Sequence, residues 1–213
     1  MNFLSATQAL VSKAVLEGHN VFVSGKGGTG KTFLLNSIVD SLPPNKRFHV
    51  TCTTGAACNN LTATRATTLH SFAGVGQFNG TKEQVLARVR QRNDAVSRII
   101  SCELLFVDEI SMLSRRNLEI LGFVLSQVRD NQNPFGGIQI VSFGDFKQLP
   151  PVPSSYDCGE YAFLSKLWRA TFTHNFVLTN VRRQTEQEFI KALSELADGI
   201  SSASTRGGWT QST

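Results

Sequence analysis

The stretch Val21-Phe-Val-Ser-Gly-Lys-Gly-Gly-Thr-Gly-Lys-Thr32 decides how the rest of the chain is read. Val21, Phe22 and Val23 have the β-branched and aromatic character of a strand. Gly25, Lys26, Gly27, Gly28, Thr29 and Gly30 form a glycine loop. Lys31 and Thr32 open an apolar run of helical type, Phe33 to Val39. Strand, glycine loop and helix N-terminus in that order are the layout of a phosphate cradle. Glycines take backbone angles closed to other residues and bring N–H groups against an anion. Lys31 then reaches the β- and γ-phosphates of a nucleoside triphosphate, and the Thr32 hydroxyl ligates Mg²⁺.

Gly25, Gly27 and Gly30 also satisfy G-x-G-x-x-G, the dinucleotide fingerprint. That site wants an acid roughly 20 residues on, at the end of the next strand. Here the next strand candidate ends in Val50-Thr51-Cys52-Thr53-Thr54, without one. The Lys31-Thr32 pair has no role in a dinucleotide site either, so the triphosphate reading is the stronger.

The 213 residues, 41% hydrophobic and 17% charged, suffice for one α/β domain with a real core. A net charge of +5 permits a nucleic-acid partner without requiring one. Cys52, Cys58, Cys102 and Cys158 show neither C-x-x-C spacing nor partner histidines, and read as buried thiols in a reducing compartment. No apolar run is long enough for a bilayer, and the opening lacks a signal-peptide layout. A soluble intracellular protein is expected, with no membrane partner.

Helical spacing spans Asn2 to Gly18, with Ser5 as N-cap; within it the Gln8 amide can pair with an adenine edge or be an ordinary helix glutamine. Phe48 to Cys52 reads as a strand running into Thr53-Thr54-Gly55-Ala56-Ala57, whose small residues suit a phosphate contact. The basic segment from Gly80 to Arg98 reads as one solvated amphipathic helix. Leu104-Leu105-Phe106-Val107 is apolar throughout, as in a strand buried on both faces, and ends in Asp108-Glu109. Beside a glycine-loop lysine, that doublet divides two tasks: Asp108 supports the metal and Glu109 polarises the attacking water. Arg115 to Val128 reads as a helix, Ile138 to Phe143 as a strand, the run around Phe176 as a strand, and Glu186 to Asp198 as a last helix. Strands alternating with helices give a P-loop NTPase fold, an open parallel sheet with helices on both faces and ligands at the strands' carboxyl ends.

With these pieces in place, the chain resembles a superfamily-one helicase, and most closely the Pif-one (petite integration frequency) family of 5′-to-3′ DNA helicases. The specific strings are Leu69-His70-Ser71-Phe72 and Gly144-Asp145-Phe146-Lys147-Gln148-Leu149-Pro150-Pro151; Leu178-Thr179-Asn180-Val181-Arg182-Arg183-Gln184 also runs in family order. The resemblance implies a RecA-like ATPase domain over residues 1–199, followed at 200–213 by a disordered tail or fragment end. It further implies that Gln8 reads the adenine of ATP, Gln148 senses the γ-phosphate, and Arg183 contributes positive charge to the transition state. Thr54, Gly55, His70 and Ser71 are implied to lie along single-stranded DNA. The residue before Arg183 is arginine, where the family is usually aromatic. A second RecA-like domain is expected in the full-length protein, because a helicase closes two such domains around ATP. Implied roles are DNA repair, recombination and telomere maintenance, in the nucleus rather than the mitochondrion. The competing reading is a P-loop ATPase that acts as a regulatory or assembly switch, or a silent remnant that binds without turnover.

Overall fold

The computed structural model describes residues 4–59, 61 and 66–179. Six parallel strands make one sheet: β1 (Val21–Gly25), β2 (Phe48–Cys52), β3 (Thr67–Thr68), β4 (Leu104–Asp108), β5 (Gln139–Gly144) and β6 (His174–Leu178). Across the sheet their order is β3-β2-β4-β5-β1-β6. The expected open parallel sheet is therefore present, with β4, β5 and β1 side by side. Val23 lies beside Phe143, and Ser142 beside Val107. The three strands end level, so the chain that follows each of them emerges at one edge.

Strand alternation divides the core between two faces. Leu104 and Phe106 join Val21, Val23, Val141 and Phe143 beneath α1 (Ala6–Leu16) and α2 (Lys31–Asp40). Leu105, Val107 and Ile140 point the other way. There they meet side chains from α4 (Leu69–Ala73), α5 (Lys82–Arg90), α6 (Asn93–Ser101), α7 (Arg115–Arg129) and α8 (Lys166–Thr171). The short α3 (Gly55–Cys58) follows β2. Every residue of β4 is buried, which is why that strand reads as an unbroken apolar run.

The basic segment is two helices rather than one. Thr81 and Gln84 form a capping box that starts α5, and the chain leaves helical geometry at Arg92 (φ −107°, ψ 87°) before α6 begins. Apolar residues keep helical spacing across this break, so periodicity alone does not reveal it. The thiols also divide: Cys52 and Cys102 are buried, Cys58 is half-buried, and Cys158 is exposed after the proline-rich turn. The expected last helix and the segment beyond it lie outside the described residues. Among the described residues no helix is long and apolar enough to cross a membrane.

Candidate nucleotide site and the adjoining groove

The loop after β1 curls because its glycines permit it. Gly28 (φ 80°) and Gly30 (φ 85°) are left-handed, and a Cβ on Gly25 would stand 2.5 Å from Thr29 Oγ1. Thr29 Oγ1 donates to Lys26 O at 2.8 Å. Lys31 Nζ folds back into the curl and donates to Gly25 O at 2.5 Å and Lys26 O at 3.2 Å. Its charge thus rests against loop carbonyls, where anionic oxygens would be stronger acceptors. Gly30 caps α2 without a side chain, and no acid occupies the first turn of that helix. The N-cap itself therefore offers no side chain to compete with an anion at this helix end. Thr32, in the same turn, is half-buried.

Asp108 is the last residue of β4 and is 7% exposed. Its Oδ1 accepts the Glu109 N–H at 2.9 Å, and among the described residues it makes no salt bridge. Burial, with the neighbouring Glu109 charge, raises its pKa to about 6, while that N–H and the Lys31 ammonium pull the other way. The electrostatic reach of Lys31 to Asp108 brings cradle and acidic doublet together across the strand between them. A buried carboxylate whose one hydrogen-bond partner among the described residues is an N–H, and the threonine hydroxyl at the head of α2, are hard-oxygen donors of the type that Mg²⁺ takes. Glu109 is half-buried, in a left-handed conformation (φ 54°, ψ 40°) that few non-glycine residues adopt. The turn after it packs on Gly144, where a Cβ would meet Ile110 Cγ2 at 3.1 Å and Ser111 N at 3.2 Å.

Gln148 faces the cradle from the end of β5. Its Nε2 lies 3.8 Å from the position a Cβ would take on Gly27, and donates to Asp145 Oδ2 at 3.1 Å. Asp145 is 6% exposed, and its other oxygen accepts the Lys147 N–H at 3.0 Å. Asp145 is thus a site residue that sequence reasoning passed over, although it stands in the same string as Gln148. Gln8 is buried: its Oε1 accepts the Ser5 N–H at 3.0 Å in a capping box, and its Nε2 lies 3.4 Å from Gly30 O. The structure thus places Gln8 against the cradle, with its amide already engaged.

Beside the acidic doublet runs an open groove of about 580 Å³. Of the expected strand-contacting residues, Gly55, His70 and Ser71 line it, together with Thr53, Thr68 and Arg92. The Thr54 hydroxyl is turned to capping α3, accepting the Ala57 N–H at 3.2 Å. His70 packs edge-on to Phe78 with ring centres 5.2 Å apart, and burial lowers its pKa. It is therefore neutral near pH 7, and the groove's positive charge comes from Arg92. Arg98 is not part of this lining; it donates to Ser71 O at 3.0 Å and Phe72 O at 3.2 Å. The expected Arg183 lies outside the described residues.

A family model described as PIF1-like helicase matches residues 3–207. The chain is 41% identical over 196 residues to the ATP-dependent DNA helicase PIF1 of Danio rerio, and 39% identical to that of Homo sapiens. In each case 92% of this chain is covered but only 30% of the relative, so the chain spans under a third of their length. A crystal structure of Pif1 helicase from Candida albicans superposes with a TM-score of 0.88 at 39% identity, covering 96% of this chain and 46% of that one. Pif1 helicase from Bacteroides, in complex with ADP-AlF3 and ssDNA, gives a TM-score of 0.77 at 27% identity, covering all of this chain and 52% of the other.

Proposed function

Because the chain belongs to the PIF1-like helicase family, we propose that it is the RecA-like motor unit of a 5′-to-3′ DNA helicase, which hydrolyses ATP to move along single-stranded DNA. The observation that carries this reading is the convergence at one sheet edge of Lys31, the Asp108-Glu109 doublet and Gln148. Lys31 and the N-terminal amides of α2 hold the β- and γ-phosphates. Thr32 and Asp108 would hold Mg²⁺, which would offset the negative charge that develops on the phosphoryl group. Glu109 orients the attacking water and accepts its proton, and Gln148 contacts the γ-phosphate. Gln8 stands at the adenine side, where a purine edge would compete with the Ser5 N–H for its amide.

The groove takes the strand through backbone contacts that tolerate any sequence and weaken with salt. Much of each relative's length lies beyond the matched stretch, enough for a second RecA-like domain that closes on ATP. Without that domain this chain binds nucleotide weakly and does not unwind duplex. Within the longer protein it serves repair, recombination and telomere maintenance. A regulatory P-loop switch would share the cradle but has no use for the groove.

Calorimetry with a non-hydrolysable ATP analogue tests the site: Lys31→Ala should abolish binding, and unchanged affinity would refute the assignment. Stimulation of ATPase by oligothymidylate in the full-length protein separates motor from switch, since a switch would show none.

A further inference from the structure

Thr53 stands where the nucleotide site and the groove meet. Its N–H donates to Asp108 O at 3.2 Å, and its hydroxyl donates to Glu109 O at 2.9 Å. The side chain is only 8% exposed, yet Thr53 contributes to the wall of the groove beside Gly55 and His70. One residue later, Thr54 caps α3, so anything that shifts α3 pulls on the same short stretch of backbone. The carbonyl that Thr53 holds belongs to Glu109, whose left-handed backbone is sparsely populated and needs its surroundings to maintain it.

We propose that Thr53 is a positioning residue that couples the two sites. Its hydroxyl fixes the Glu109 peptide, and with it the carboxylate, in a geometry that responds to whether a single strand fills the groove. The inference rests on the reading of the two sites as ATP and DNA sites. The hydroxyl is already donated to Glu109 O, so it is not offered to either ligand directly. Its contribution is to the linkage between them, which must be reciprocal.

The experiment measures that linkage in the full-length protein. Affinity for ADP–aluminium fluoride with Mg²⁺ is titrated with and without oligothymidylate, and oligothymidylate affinity with and without the nucleotide complex. The wild type should show about tenfold mutual tightening. Thr53→Val keeps the shape and removes the donor; it should bring the coupling factor, a ratio of affinities measured in the same variant, to within about twofold of one. Thr53→Ser keeps the donor and should restore the coupling. A residue that merely supported the fold would change melting temperature and leave the coupling factor intact. Should the valine variant not fold, Thr53→Ala removes the same hydroxyl and carries the same expectation.

Wild-type coupling in the valine or alanine variant overturns the proposal. So does a wild type that binds both probes independently, or a serine variant as uncoupled as valine. If the wild type binds neither probe in the single-ligand titrations, the functional reading itself fails and takes this inference with it.

Discussion

In the nucleotide cradle, eight consecutive residues, Gly25 to Thr32, supply the curl, the ammonium and the helix end. In the groove, Thr53, the neighbours Thr68 and His70, and Arg92 come from three separate segments and meet only because α4 packs beside β2 and α6 beside α4. The first site is built by local backbone chemistry and the second by tertiary packing. Around the apolar core of that packing, guanidinium groups hold carbonyl oxygens. Arg98 holds Ser71 O and Phe72 O, and Arg116 holds Phe78 O at 2.9 Å and also Gly80 O. Arg129 holds Gly136 O at 2.7 Å and lies 2.8 Å from the Ile99 and Cys102 carbonyls. Much of the positive charge between Lys82 and Arg129 therefore serves architecture rather than an external anion.

The sharpest way to separate the two regions is to remove chemistry from one and leave the other alone. Glu109→Gln should lower ATP turnover by about a thousandfold, the range expected for loss of a general base. Analogue affinity and oligothymidylate affinity should both stay within a few-fold. Stopped-flow phosphate release checks the turnover and anisotropy checks the strand. A loss of strand binding as large as the loss of turnover would mean that the two sites are not separable units.

The same contrast explains what was readable from the sequence. The cradle, the buried β4 and the acidic doublet were legible because each is a contiguous string whose composition follows from its own environment. The two-residue β3 was not, since two residues carry no period. The break at Arg92 was hidden by apolar spacing that continues through it. Thr53 reads in the sequence as one of a string of small residues suited to a phosphate; its bond to the Glu109 carbonyl is not legible there, because that partner is 56 residues away and no side-chain type announces a bond to a distant main-chain oxygen. Two of the four thiols depart from the expected burial for different reasons: Cys58 ends the short α3 at the margin of the core, and Cys158 sits on an exposed loop.

The cradle should also carry a stability cost that the groove does not. The folded-state pKa of Asp108 is raised from 3.8 to about 6. Well below pH 3.8 the carboxyl is protonated both folded and unfolded, and nothing is lost. As pH rises through 6 the buried charge must form, and the fold loses about 3 kcal/mol relative to a neutral group in its place. Asp108→Asn stays neutral and can keep the Glu109 N–H partner. It should therefore be the more stable form at pH 7.5 and show almost no advantage at about pH 3 in denaturant melts. Equal stability at both pH values would mean that the carboxylate is already compensated in the folded chain.

Arg129→Ala removes the clamp at the end of α6 remote from Arg92. Losing the partner of several part-buried carbonyls should cost about 2–3 kcal/mol, or roughly 5–10 °C of melting temperature for a domain of this size. Strand affinity should fall near the new transition sooner than nucleotide affinity, because the groove depends on where α6 lies. If both affinities decline together, the groove is no more dependent on packing than the cradle.

The smallest effect tests whether the groove's charge is used at all. Arg92 is exposed, lines the groove and stands 3.8 Å from Asp94 across a solvent-screened pair. One phosphate contact of this kind contributes under about 1 kcal/mol, so Arg92→Ala should weaken oligothymidylate binding only about three- to fivefold. The more telling number is the salt dependence. Losing one phosphate contact lowers the slope of log affinity against log salt by about 0.7 for a single strand, equally for every sequence tested. Arg98→Ala makes the control, since its guanidinium binds Ser71 O and Phe72 O. It should reduce stability and leave the slope unchanged. If the two variants exchange these behaviours, Arg98 meets the strand and Arg92 belongs to the scaffold, and the boundary between packing charge and binding charge has been drawn one helical face too far.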